Sequence, residues 1–307
     1  MGPSLLPCRN LASNSKKKNK MPALIDLRRR IKSVKNTQQI TQAMKTVSTA
    51  KFKKAQRTVL EGRPEWHILP GLLERVSSWA GRQASPLLER REEKKVLGLV
   101  ITSDKGLCGA FNSNLLARAH AFIAEKADQA EISLILVGKK AVNFFKKQAY
   151  PVQRAYAGKV DKLTWKDLKD IAHLLMRQYT FAKVDSIYAI YNEFKSILSP
   201  KITVAQILPL APPAQAEAEN SSPPDWEPES ELILRCLLPL YVETQVYHCF
   251  FESFAAEQAA RMMAMENATK NAEDLISDLV LVLNKIRQAL ITKELLEIMT
   301  AVEAMAK

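Results

Sequence analysis

The last 68 residues of the chain, Leu240 to Lys307, contain neither glycine nor proline. Few architectures accept such a run, because at ~1.5 Å per residue an unbroken helix of that length reaches about 100 Å, more than an ordinary globular domain encloses. Within it Met265, Ala268, Ala272, Leu275, Leu279, Val282, Ile286 and Leu290 alternate steps of three and four, the spacing of a coiled-coil seam. Ala256, Ala260, Ala264, Ala268 and Ala272 add a line of small side chains where a second backbone can come close.

A seam needs a partner, and a second long helix is written at the other end of the chain. From Pro22 to Leu60 no internal glycine or proline occurs, and Leu24, Leu27, Ile31, Val34, Ile40, Met44 and Val47 recur mostly three or four apart. Gly62-Arg63-Pro64 is expected to end this helix. Antiparallel pairing of the two terminal helices is the simplest solution; a homodimeric coiled coil satisfies the same periodicity.

Between them the texture changes. Val96 to Thr102, Ile132 to Val137 and Val184 to Tyr191 read as strands, with helical patterns near 113–127, 139–148 and 165–180. Such alternation implies a small α/β domain with a mostly parallel sheet, and Ile202 to Leu208 could add an edge strand. The expected fold is thus α/β, a long antiparallel coiled coil with an inserted Rossmann-like domain. Its segments are a disordered tail or alternative start at 1–21, a coiled-coil helix at 22–61, a helical connection and α/β domain at 62–208, a linker at 209–230 with six prolines, and a second coiled-coil helix at 231–307.

Charge is concentrated at one end. Residues 1–57 carry fifteen Lys or Arg against the single acid Asp26, whereas the other 250 residues hold 30 cations and 31 acids. A nearly neutral protein therefore bears one basic arm, suited to nucleic acid, an anionic membrane surface or acidic protein partners. Residues 1–20 lack the apolar core of a secretory signal, and their lysine run suits a transit peptide poorly. The longest apolar stretches, Val96 to Ile101 and Leu279 to Leu283, fall far short of the ~20 residues that cross a bilayer.

No catalytic machinery is legible. There is no GxxxxGK[ST] phosphate cradle, and Gly106-Leu107-Cys108-Gly109 lacks the third glycine of a dinucleotide fingerprint. It reads as a strand-to-helix turn, with Asn112 or Ser113 capping the next helix. His67, His120, His173 and His248 stand apart, and Cys8, Cys108, Cys236 and Cys249 show no metal or disulfide spacing, which fits a reduced compartment. Cys108, although close to Lys105, reads as a small hydrophobe in a turn. Neither cofactor nor metal is expected.

Four long motifs change the reading. Ile31-Lys32-Ser33-Val34-Lys35-Asn36-Thr37-Gln38-Gln39-Ile40-Thr41-Gln42-Ala43-Met44-Lys45 closely resembles the N-terminal helix of the gamma subunits of F-type ATP synthases. Ile101 to Asn112 is similar to that family's central motif, Tyr191 to Ser196 to its later strand, and Glu257 to Asn271 with Asn284 to Leu295 to its C-terminal helix. The resemblance covers most of residues 22–299, and the motif wording looks bacterial.

It implies the noncatalytic, rotating central stalk, one copy per complex, peripheral on the cytoplasmic face of a bacterial inner membrane and coupling proton flow to ATP synthesis. Implied partners are the alpha, beta, epsilon and delta subunits and the membrane c-ring, with no nucleic acid. By resemblance Met44, Lys45, Arg287 and Gln288 meet the beta subunits. Lys51 and Lys54 in the basic arm are expected to face acidic beta surfaces, where screened attraction tolerates sliding. Gly106, Leu107, Cys108, Gly109, Asn112, Tyr191, Asn192, Glu193, Phe194 and Lys195 belong to a foot beside epsilon and the c-ring. The ending Thr300 to Lys307 departs from the family in lacking glycine, and the absence of cysteine between Cys108 and Cys236 argues against thiol control. Two rivals come from other classes. A nucleic-acid-binding coiled coil is poorly served by an arm whose only aromatic is Phe52, and an α/β enzyme with a helical stalk lacks its residues.

Overall fold

The computed structural model describes residues 20–80, 85–148, 150–196, 200–210 and 230–306. The expectations for the N-terminal tail up to Asn19 and for most of the Pro-rich linker lie outside them. Elements run α1 (Lys20–Ala80), β1 (Lys95–Ile101), α2 (Phe111–Ala127), β2 (Glu131–Val137), α3 (Lys139–Phe145), β3 (Val152–Tyr156), α4 (Trp165–Thr180), β4 (Ser186–Glu193), β5 (Lys201–Leu208) and α5 (Ser230–Met305). Two compact units result, one of residues 44–265 and one made by the far segments of the two long helices.

The larger unit is built on a sheet of order β3-β2-β1-β4-β5. β1, β2, β3 and β4 are mutually parallel, as right-handed crossovers through helices require, and β5 returns antiparallel beside β4. Both faces are covered, so β1, β2 and β4 are apolar along most of their length. On one face Val96, Val100, Leu134, Leu136 and Ile190 pack on Leu115, Ala119 and Ile123 of α2 and on Phe145 of α3. On the other, Leu97, Leu99, Ile135, Ile187 and Tyr191 pack on Leu168, Leu175 and Tyr179 of α4 and on Leu234 to Phe250 of α5. α4 starts on a capping box in which Thr164 and Asp167 exchange side-chain and backbone hydrogen bonds.

The first helix does not stop at Gly62-Arg63-Pro64. It continues through Pro64 and Pro70 to Ala80, although an interior proline loses a hydrogen bond and crowds the preceding turn. Tertiary contacts offset this: Leu73 and Val76 are buried in the sheet core, and Arg63 donates to the Phe194 carbonyl at 3.2 Å. Trp66 packs edge-on against His248 with ring centroids 4.5 Å apart. Gly62 is what lets the Trp66 ring lie along the helix, since a Cβ there would meet it at 2.7 Å.

In the smaller unit the two helical segments pair antiparallel. Gln38 donates to Glu273 at 3.0 Å and Thr269 to Thr41 at 2.8 Å, so the partner number falls as the chain advances. Ile31, Ala272 and Leu279 are buried. The intrachain hairpin, rather than a homodimer, therefore uses the seam. That seam runs through Thr269, Ala272, Ile276, Leu279 and Leu283; Leu275 and Val282, expected within it, are 40% and 44% exposed. Extending the same register sets Lys20, where α1 begins, opposite about residue 290 of α5.

Candidate functional site

In an open parallel sheet the ligand crevice lies at the carboxyl ends of the strands where the order reverses, here between β1 and β4. Glycines 106 and 109 sit at its lip, the place where a nucleotide-binding protein of this topology brings its backbone to phosphate. In this chain the crevice is filled by the chain's own helices. Phe52, Ala55 and Val59 of α1 and Ala255, Ala256 and Ala259 of α5 form one buried cluster with Cys108, Phe111 and Phe194, and Phe52 meets Phe194 edge-on at 5.4 Å. Five consecutive residues of α5, 255–259, are buried because it is enclosed on every side at this level. The line of alanines is what permits that approach.

Several polar groups of the crevice are answered from the same helices. The Phe194 N–H, at the end of β4, donates to the Glu252 carboxylate at 2.9 Å, and Arg63 reaches that carboxylate at 3.5 Å. Arg261 donates to the carbonyls of Gly106 at 3.3 Å and Lys105 at 3.2 Å while pairing with Glu257 at 2.7 Å. Burial raises the Glu252 pKa despite the Phe194 and Arg63 contacts. Burial likewise lifts Glu257 to about 7, against the pull of Arg261 and with a further push from Asp161 and Asp104.

The motif residues divide into supports and surface. Asn112 does not cap α2, which begins at Phe111 with Ala110 before it and no side-chain cap. It turns back instead, accepting the Ser103 N–H at 3.2 Å and donating to Ser103 Oγ at 2.7 Å and Cys108 Sγ at 3.0 Å. Cys108 is buried and its thiol pKa is raised by desolvation, which makes it a poor nucleophile. Tyr191, Asn192 and Phe194 are buried as well, and burial pushes the Tyr191 hydroxyl well above its usual range. Of the foot residues, Leu107, Gly109 and Lys195 are exposed and Gly106 and Glu193 half-buried. Leu107 stands out: at φ 63° it occupies the left-handed region, and its side chain is 60% exposed. A cleft of about 590 Å³ opens beside it, lined by Ser113, Leu116, His120, Lys140 and Phe144.

On the long helices Met44 and Lys45 are half-buried and Lys54, Arg287 and Gln288 exposed. Lys51 is engaged within the chain, its ammonium 2.8 Å from Asp161. Sequence reasoning missed Asp161, Asp104, Glu252 and Arg63, whose hydrogen-bond partners lie 35 to 189 positions away and leave no local spacing to read.

Among the described residues no group of three or more His, Cys, Asp or Glu comes together as metal ligands, and no helix is long and apolar enough to cross a membrane.

An α/β domain whose ligand crevice holds its own two long helices defines a class: a Rossmann-like module in which the place of a ligand is taken by the chain itself. The family model described as ATP synthase matches residues 23–305. The ATP synthase gamma chain of Pelotomaculum thermopropionicum is 45% identical over 285 residues, covering 93% of this chain and all of that one. That of Chlorobaculum parvum is 41% identical over 290, with 93% and 99% covered. This chain belongs to the ATP synthase gamma chain family. Among solved structures, the central stalk and c-ring of Tetrahymena thermophila mitochondrial ATP synthase aligns with a TM-score of 0.56 and 28% identity over 75% of this chain and 99% of that one. A chain of the Euglena gracilis mitochondrial enzyme, at 20% identity and a TM-score of 0.63, covers 93% of this chain and 95% of its own length and shares the fold.

Proposed function

We propose that this chain is the rotating central stalk of an F-type ATP synthase, a noncatalytic subunit that couples proton flow through a membrane c-ring to ATP synthesis on the beta subunits. The observation that carries the reading is the far end of α5. Beyond the level of Lys20, the first residue described, Ile291, Leu295, Leu296, Ile298, Met299, Val302 and Met305 are each at least half exposed. An isolated soluble helix seldom presents so much apolar surface to water, and such a patch marks a binding surface. On a member of this family, a ring of alpha and beta subunits is the collar that would receive it. Family membership along nearly the whole chain and the filled crevice support the same reading, since a module that seats its own shaft suits a mount.

Met44, Lys45, Lys54, Arg287 and Gln288 then face the beta subunits. The electrostatic part falls mainly on Lys54, because Asp161 already offsets Lys51. In the foot, Gly106, Leu107, Gly109, Glu193 and Lys195 meet epsilon and the c-ring, while Cys108, Asn112, Tyr191, Asn192 and Phe194 shape that surface from within. The subunit sits peripherally on the cytoplasmic face of the bacterial inner membrane, one copy per complex, with delta as a further neighbour. The segments 22–61 and 231–307 act as the shaft, 62–208 as the foot and 209–230 as a linker.

The test is to release the complex from membranes with low-salt chelator, weigh it intact and assay ATP hydrolysis. One copy of this chain among three pairs of larger subunits, with no hydrolysis by the chain alone, is the expected result. A free homodimer or a complex with nucleic acid would refute it.

A further inference from the structure

Apart from the bonds of Arg63 to Phe194 and Glu252, the contact between residues 51–59 of α1 and the α/β domain has two parts that differ in kind. Phe52, Ala55 and Val59 rest on Cys108, Phe111 and Phe194. That apolar contact is non-directional and fixes how close the helix lies without strongly fixing its rotation about its own axis. The neighbouring residue, Lys51, points about 100° away around the helix, and there it meets Asp161 at 2.8 Å. Asp161 also takes Lys105, in the loop after β1, at 3.4 Å. One carboxylate thus joins the shaft helix to the crest of the sheet.

The mounting of that carboxylate is stiff. Asp104, beside Lys105, accepts the backbone N–H groups of Lys139 at 2.9 Å, Gly158 at 2.7 Å and Val160 at 2.8 Å. The loops after β1, β2 and β3 are thereby fastened to a single side chain, and Asp161 follows directly on the last of them. Between Glu131 and Asp161 the chain has no acid and carries six cations, Lys139, Lys140, Lys146, Lys147, Arg154 and Lys159. No acid in that stretch could replace Asp161. Its pKa lies below the usual carboxylate range because Lys51 and Lys105 outweigh the opposing effect of burial.

We propose that Asp161 is a positioning residue that sets the rotational angle of α1 on the foot, acting with Lys51 as an angular key alongside the apolar seat of Phe52. The proposal rests on the central-stalk reading, in which the foot is driven by the c-ring and α1 acts on the beta subunits. A partly exposed ion pair adds little to folding stability, so its imprint belongs on coupling and not on assembly.

The experiment uses the complete synthase reconstituted in vesicles and reads the ratio of ATP-driven acidification to ATP hydrolysis. Asp161→Lys should assemble, retain hydrolysis and lower the ratio at least threefold. The charge exchange Asp161→Lys with Lys51→Glu should recover it to within twofold of the unaltered complex. An unchanged ratio in Asp161→Lys, or an exchange that recovers nothing, overturns the proposal. Should Asp161→Lys fail to assemble, Asp161→Asn carries the test, and a ratio equal to the unaltered one is the overturning result. Unaltered vesicles that acidify equally well without this chain would instead overturn the central-stalk reading itself.

Discussion

Gly138, at the carboxyl end of β2, is the glycine, among those described, at which one added carbon would meet its nearest neighbour most closely. Its φ of 98° with ψ 140° lies outside the regions that side-chain-bearing residues occupy. A Cβ at this position would lie 2.3 Å from the Thr102 carbonyl oxygen and 2.6 Å from its hydroxyl. Thr102 cannot yield cheaply. It is buried, donates its hydroxyl to the Val137 carbonyl at 3.0 Å and accepts the Ala141 N–H at 3.0 Å, which starts α3. Gly138→Ala therefore adds backbone strain of about 1–3 kcal/mol and opens two buried hydrogen bonds at about 1 kcal/mol each or more. A total of about 3–5 kcal/mol in a unit of this size lowers the melting temperature by about 6–20 °C.

Gly158→Ala is the control. Its φ is 75°, but a Cβ there has nothing within 4 Å, so it carries strain alone, about 1 kcal/mol and about 2–4 °C. Thermal melts of the two purified variants by circular dichroism separate clash from strain. Equal melting temperatures would refute the account of Thr102.

Other expectations follow from the same contacts. Because Glu257 titrates near 7 in the folded chain, above its ordinary 4.5, the neutral acid stabilises the fold fully below pH 4.5 and that contribution fades as pH rises through 7. The change amounts to about 3 kcal/mol, and Glu257→Gln should flatten melting temperature against pH between 5 and 8; an unaltered slope would count against the buried pair as its source. Lys54→Ala should weaken the salt dependence of ATP turnover by the complex more than Lys51→Ala does, as Asp161 already neutralises Lys51; equal slopes would remove the distinction. Tyr247 stacks on Trp165 at 3.4 Å and its hydroxyl donates to the Trp165 carbonyl. Tyr247→Phe keeps the stack and should cost about 1 kcal/mol by chemical denaturation, whereas a loss above about 3 kcal/mol would mean the ring itself has moved.

The parts of this fold legible in the sequence are those in which burial repeats along the chain. β1, β2 and β4 are buried on both faces and read as apolar runs, and the long glycine-free and proline-free stretches announce helices. β3 escaped notice because four of its five residues are exposed and the fifth is half-buried, so no pattern marks it. The continuation of α1 past Pro64 was hidden because local propensity forbids it and contacts with residues 194, 248 and 252 restore it. A one-step shift of the seam, from Leu275 to Ile276 and from Val282 to Leu283, has the same origin: both series keep the period, and the facing helix selects between them. At the candidate site the motifs located the loops, but not which side chains face outward. Asn112 and Tyr191 look like contact residues in one dimension and prove to be internal braces.

The filled crevice also bears on how the α/β domain behaves apart from its shaft. In binding terms, α1 and α5 are a tethered ligand, present at the high effective concentration that covalent linkage confers. Their grip has never had to compete with dilution, and the crevice has had no need to be soluble when empty. Residues 85–210 expressed alone would bare Cys108, Phe111 and Phe194, an apolar surface that invites self-association. A peptide spanning 250–261 supplied in trans would have to bind without that advantage, at concentrations that free solution rarely reaches.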